Sequence, residues 1–346
     1  MLYRYLVPIQ TISSPSTPSL LGSSMVTGDY CNGVVMIGEL NSSSVPIVEY
    51  RSVNSSTGAL QSISGASPFD PNTYTGNIVT LGCVRLNPAY FGVAIVIASA
   101  STSTHIPYSI YGVTPASGFP YARVDAYGGY GPYGSFGDWH PNGDIFILGS
   151  SGALSVVSYP GFSNTGGGVS VSGVTLKDCR WLGDTLFAIG KNTTTNDVIL
   201  YVYSRSGTSL SPLGTYTLTG GVSSGFGMTL KTYGTNRLFV FVSGGTTQQF
   251  FDLTYNGGTS FTSNQVNGVS SMSATSAAGI GYPLSGKNLI FFSPATQMFT
   301  DNSPGLSRIV PPANFGGDGG KILGVDIPSN TLIVMDGGSI NLYKFN

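Results

Sequence analysis

A short phrase of strand-forming residues recurs along the whole chain and leaves few folds open to it. A turn built on Gly or Asn opens into a strongly apolar run of four to six residues. A second short turn follows, then a strand in which apolar and polar residues alternate. One copy reads Pro141-Asn142-Gly143-Asp144-Ile145-Phe146-Ile147-Leu148, then Ala153 to Tyr159. Others run from Trp181 to Tyr203, from Gly234 to Tyr255 and from Ser329 to Phe345, and weaker copies fit Asn32 to Tyr50, Pro88 to Tyr111 and Ser285 to Phe299. Gly, Pro, Ser and Thr interrupt every window long enough for an amphipathic helix. Apolar runs rich in Val, Ile, Tyr and Phe, bounded by Gly, Asn and Ser turns, read instead as an all-β chain.

Seven copies spaced by roughly 40–55 residues fall in the range of propeller blades. The apolar strand is expected in mid-blade, buried on both faces, and the alternating strand further out with one face in water. One blade cannot bury its own faces, so the copies must stack in a ring. The expectation is one β-propeller domain over residues 1–346, seven-bladed. Its blades are placed near 13–65, 66–115, 135–175, 176–222, 223–268, 269–312 and 313–346, and residues 1–12 complete the last one. Such closure would remove two exposed sheet edges. Residues 116–134 break the rhythm and read as an inserted loop rich in Tyr and Gly. The competing fold, a β-sandwich of jelly-roll type, would show fewer, longer strands and no repeated phrase.

The residues Asp138-Trp139-His140-Pro141-Asn142-Gly143-Asp144 resemble the W-x-P-[DN]-G turn of WD40-like and TolB-like propellers, which joins the first two strands of a blade. Trp181-Leu182-Gly183-Asp184 is similar without the Pro. The resemblance covers about one turn per repeat, and the Gly-His and Trp-Asp dipeptides of that family are absent. It implies architecture and not activity.

Charge excludes several classes of function. Only 15 Asp and Glu and 14 Lys and Arg stand among 346 residues, or 8%, about a third of the usual share. Net charge is −1 and no basic run exists, so no nucleic-acid partner is expected. The longest apolar runs, Val93 to Ala98 and Leu289 to Phe292, are too short to span a bilayer, so no membrane insertion is expected. The opening Met-Leu-Tyr-Arg-Tyr-Leu-Val-Pro does not read as a signal peptide, because Arg4 and Pro8 break its apolar stretch. Cys31, Cys83 and Cys179 are too few for a disulfide framework and read as small buried thiols.

Catalytic patterns are weak. Gly129 to Gly134 matches GxGxxG, Gly281 to Lys287 the start of a P-loop, and Gly221 to Gly225 GxSxG. None precedes a helix, and a chain with 49 Gly produces such matches by chance. With only His105 and His140, neither a Ser–His–acid triad nor a zinc site is expected. Gly316 to Gly320 and Asp70-Pro71-Asn72 offer one carboxylate each, too few for calcium. Neither a metal nor another cofactor is therefore expected. Glycoside hydrolysis needs paired carboxyls about 5–10 Å apart. The only two Glu, Glu39 and Glu49, lie in the first repeat, and the eight Arg are spread singly over the repeats. An active glycosidase is therefore the least favoured reading.

The candidate binding residues are aromatic: Tyr108, Tyr111, Phe119, Tyr121, Tyr127, Tyr130 and Tyr133, in and around the Tyr/Gly-rich segment. Tyr supplies a rigid contact with a polar tip, suited to a sugar ring or a protein partner. Sequons at Asn41, Asn54 and Asn192 permit glycosylation in a suitable host. Six Lys and two Glu leave Ser, Thr, Asn, Gly and Tyr to cover the surface, so copies repel one another little. The expectation is a non-enzymatic viral structural protein, similar in overall character to virion proteins of tailed phages and archaeal viruses. It would be a propeller module of a tail, spike or surface layer, made in the host cytoplasm and released in the particle, with other virion proteins or further copies of itself as partners. The alternative is a lectin propeller whose partner is a cell-surface glycan.

Overall fold

The computed structural model describes residues 6–13, 26–40, 46–62, 78–90, 94–100, 108–113, 122–127, 136–161, 163–219, 227–244, 247–264, 280–284, 288–293, 297–301, 306–309, 321–326, 328–336 and 339–345. Among them every regular element is a strand, and no helix is long and apolar enough to cross a membrane.

The first strand, β1 (Leu6–Ser13), belongs to the last sheet. The first sheet holds β2 (Val26–Cys31), β3 (Val34–Leu40), β4 (Pro46–Val53) and β5 (Leu60–Ser62). The second holds β6 (Ile78–Leu86), β7 (Ala94–Ala100), β8 (Tyr108–Val113) and β9 (Ala122–Tyr127). The third holds β10 (Phe136–Trp139), β11 (Ile145–Ser150) and β12 (Ala153–Ser158), with the short β13 (Ser163–Asn164) and β14 (Val169–Ser170) sharing its outer edge. β15 (Val174–Leu182), β16 (Thr185–Asn192), β17 (Val198–Ser206) and β18 (Ser209–Thr219) form the fourth. β19 (Gly227–Tyr233), β20 (Arg237–Gly244), β21 (Thr247–Gly257) and β22 (Ser260–Asn264) form the fifth. β23 (Ile280–Leu284), β24 (Asn288–Ser293), β25 (Gln297–Asp301) and β26 (Leu306–Ile309) form the sixth. The last sheet is β27 (Lys321–Asp326), β28 (Thr331–Asp336) and β29 (Ser339–Phe345), with β1 on its outer side.

Each sheet is an antiparallel meander, and the first strand of each touches the first strand of the next. The series β2, β6, β10, β15, β19, β23 and β27 returns to β2, so the ring closes and these strands surround its axis. The jelly-roll alternative, two facing sheets, does not form. β1 pairs with β29 from Leu6↔Phe345 to Ser13↔Ser339, so both ends of the described chain share one sheet, as the N-terminal pattern predicts.

The alternation of burial follows the sequence phrase. β16 is buried at six consecutive residues, whereas β17 begins with an alternating pattern. Leu186 and Ala188 of β16 pack toward the third sheet with Ile145, Ile147 and Val156, while Phe187 and Ile189 pack toward the fifth with Leu238, Val240 and Leu253. The core is thus a set of apolar layers between sheets, and each layer needs both neighbours. A matching layer joins Val35 and Leu60 to Leu323, Ile333, Ile340 and Leu342 across the first and last sheets.

The inserted loop expected at 116–134 is corrected by the structure. Residues 122–127 are β9, which pairs with β8 as the fourth strand of the second sheet. A central β8 with a free side would leave unpaired backbone groups, and β9 satisfies them.

Candidate functional site

The strands that surround the axis carry charges at one shared register. Asp29 pairs with Met36, Arg85 with Ile95, Asp138 with Ile147, Arg180 with Phe187 and Lys231 with Phe239. Each is the inner-strand residue two or three positions before the turn into the second strand. Ring symmetry brings them together: all five line one cavity of about 250 Å³ at the C-terminal ends of β2, β6, β10, β15 and β19. Tyr30, Cys31, Trp139, Trp181 and Thr232 complete much of its wall, with Pro88 and Pro141 from the turns.

The acids of this cluster tie one sheet to the next. An Asp29 oxygen accepts from the Leu86 amide at 2.9 Å, an Asp138 oxygen from the Trp181 amide at 3.0 Å, and an Asp178 oxygen from the Leu230 amide at 2.8 Å. The other Asp178 oxygen accepts from Arg180 at 2.7 Å and from the Cys179 amide at 2.9 Å. Arg85 donates through Nε to the Gly137 carbonyl at 3.1 Å and stands 3.9 Å from Asp29. The Trp139 indole N–H donates to the Arg85 carbonyl at 3.0 Å, and the Thr232 hydroxyl to the Trp181 carbonyl at 2.8 Å. Inner strands of neighbouring sheets have no ladder between them, so side chains satisfy their backbone groups.

Burial shapes the protonation of these groups. It lowers the Lys231 ammonium to about 7, helped by repulsion from Arg180 and Arg85 against attraction from Asp29 and Asp178. Burial also raises the Asp138 carboxyl above its ordinary range, although Arg180, the Trp181 amide and Arg85 pull it down. The Cys31 thiol is pushed up to about 12 by burial and by Asp29 and Asp138, so it stays protonated and is a poor nucleophile. Cys179 is buried and shifted the same way, and Cys83 lies on β6.

Turns on this face are also tied in series. Asn32 donates to the Pro88 carbonyl at 2.9 Å, and Asn87 to the Gly143 carbonyl at 2.8 Å. Next, His140 meets Asp184 at 3.0 Å through Nε2. Its Nδ1 accepts from Arg205 at 2.7 Å and from the Asn142 amide at 3.2 Å, and Arg205 forks onto the Asp144 carboxylate. Two N–H donors on Nδ1 leave Nε2 as the protonated nitrogen of a neutral ring. Tyr90, 48% exposed, packs against Tyr159 with ring centroids 4.9 Å apart, and Trp139 meets Tyr159 edge-on at 6.2 Å.

Tyr108 and Tyr111 lie on β8 and Tyr127 ends β9; Phe119, Tyr121, Tyr130 and Tyr133 lie outside the described residues. Asn54 and Asn192 use their side-chain oxygens to hold turn amides, Asn54 those of Ser56 and Thr57 and Asn192 those of Thr194 and Thr195. Asn41 is outside the described residues. Glu39 and Glu49 sit on β3 and β4, the second and third strands of their sheet. Among the described residues no group of three or more His, Cys, Asp or Glu is placed to hold a metal ion.

The charged cavity escaped the sequence reading because its Arg residues are spread one to a repeat, which argues against a cluster in a linear chain. The available signal was a charged residue at matching positions of successive apolar strands.

No protein-family model matches the sequence, and no curated protein sequence does either. Solved structures do match in shape. A chain of the mitotic checkpoint complex aligns with TM-score 0.59 at 13% identity, over 98% of this chain and 95% of that one. The β-propeller domain of the Trilobed protease from Pyrococcus furiosus aligns with TM-score 0.55 at 7% identity, over 99% and 98%. This chain is a β-propeller. A prolyl endopeptidase structure also aligns, with TM-score 0.56 at 14% identity, over 95% of this chain and 51% of that one. At such identities the likeness concerns the fold alone. The Pyrococcus domain is described as having an open velcro topology, whereas in this propeller β1 pairs with β29.

Proposed function

We propose that this propeller is a non-enzymatic assembly module, a component of a virion tail, spike or surface layer that packs against copies of itself or other virion proteins. The low charge of the rim carries this reading. Outermost strands usually carry charges that discourage edge contacts. Here β1, β5, β13, β14, β18 and β22 contain no Asp, Glu, Lys or Arg, and the other outermost strands hold only Arg123 and Asp125 on β9 and Arg308 on β26. Two of the large exposed apolar side chains stand on these edges, Val7 at 41% and Leu213 at 44%. Pro8 and Pro212 in the same strands interrupt the backbone ladder, so neighbours would meet through side chains and not through an extended sheet. Meanwhile Asp29, Arg85, Asp138, Asp178 and Arg180 are drawn inward to hold the ring. Mass spectrometry of purified particles tests the proposal: the chain should appear at the abundance of a structural protein. Its confinement to the cytosol of the producing cell would refute it.

A lectin role is the second reading, favoured by the exposed Tyr90 on Tyr159 at one face of the ring. Such a ring pair suits the apolar face of a sugar. A glycan array with the wild type and Tyr90→Ala separates the two readings.

A further inference from the structure

The cavity at the axis has a chemistry that neither the sparsely charged rim nor the aromatic pair uses. Three of its lining groups are cations, Arg85, Arg180 and Lys231, in a protein whose faces are otherwise poor in charge. Three carboxylates stand beside them: Asp29, Asp138 and Asp178 each accept from a backbone amide of the following sheet, Asp178 also holds Arg180, and Asp29 lies 3.9 Å from Arg85.

We propose that this cavity is a binding site for a small oxyanion, held by Lys231, Arg180 and Arg85. The chemistry required of the ligand is a compact group of negatively charged oxygens, either tetrahedral or a carboxylate. A volume near 250 Å³ admits such a group or one acidic sugar unit. Lys231 supplies the switchable charge. It is flanked by Arg180 and Arg85, which repel it, and by Asp29 and Asp178, which attract it. An anion settling among three cations relieves that repulsion and favours the ammonium form.

The test is isothermal titration calorimetry on the full chain at fixed ionic strength in chloride, which keeps screening constant. Sulfate and D-glucuronate are the two probes, because neither changes its charge between pH 6 and 8. Saturable binding of either is expected, and the tighter of the two assigns the source, a tetrahedral group or an acidic sugar. Lys231→Met and Lys231→Gln should each weaken binding at least tenfold while melting at the wild-type temperature or above, since each removes a desolvated cation. Wild-type affinity should fall about tenfold from pH 6 to pH 8, as expected for a group titrating near 7, and both variants should lose that dependence. Heats no different from chloride, or equal affinity in the variants, or a wild-type affinity independent of pH, would overturn the proposal.

Discussion

His140 shows how one side chain can join two sheets and make their joint sensitive to acid. The ring is 2% exposed, bonded to Asp184 on one nitrogen and to Arg205 and the Asn142 amide on the other. Burial and then Arg205 hold its affinity for a proton below the ordinary imidazole value, despite Asp184 and Asp144. The unfolded chain therefore binds this proton more readily than the folded one. Stability tied to His140 is complete above about pH 6.5 and declines as pH falls through the ordinary imidazole range and toward the folded value. Urea unfolding of the wild type and His140→Gln at pH 7.5 and pH 5 should show that the variant loses less on acidification. Equal losses would show that the ring takes no part. In the same turn Gly143 has φ +71°, and a Cβ there would lie 2.2 Å from Asn87 Oδ1. Glycine is required both for the left-handed backbone and for the close approach of the second sheet.

At the scale of elements, Asp178 holds β15 to β19. The side chain is almost fully buried, and each of its oxygens is committed, one to Arg180 and the Cys179 amide, the other to the Leu230 amide. Asp178→Asn would leave Arg180 without its anion and turn an N–H₂ group toward a donor. A loss of about 3 kcal/mol is expected, because a buried charge without its partner is costly. Equilibrium denaturation measures it, and a loss under about 1 kcal/mol, the scale of a surface pair, would mean the tie is not structural. The strands themselves were legible. β11, β16, β20 and β28 each coincide with an apolar run of the repeated phrase, because a strand buried on both faces needs apolar residues at every position. β9 was missed: Ala122–Tyr127 is short, carries Arg123 and Asp125, and follows a stretch of Gly and Pro that reads as loop. Its pairing with β8, not its own pattern, makes it a strand.

For the whole molecule, β1 completes the last sheet and covers the outer edge of β29. Deleting residues 1–13 should expose that edge, lower the melting temperature and bring on light scattering during heating. A synthetic peptide of residues 1–13 should restore the melt in part by adding a strand. An unchanged melting curve would mean that the ring does not depend on this strand. Sequence alone determined the class of the fold, since periodic burial and turn chemistry are local and are written in consecutive residues. It also indicated the closing strand, because the first and last strand patterns lie at the two ends of the described chain. The charged cavity was decided by tertiary structure. Asp29, Arg85, Asp138, Arg180 and Lys231 are some fifty residues apart in succession, and only rotation of like sheets about one axis turns that even spacing into a cluster.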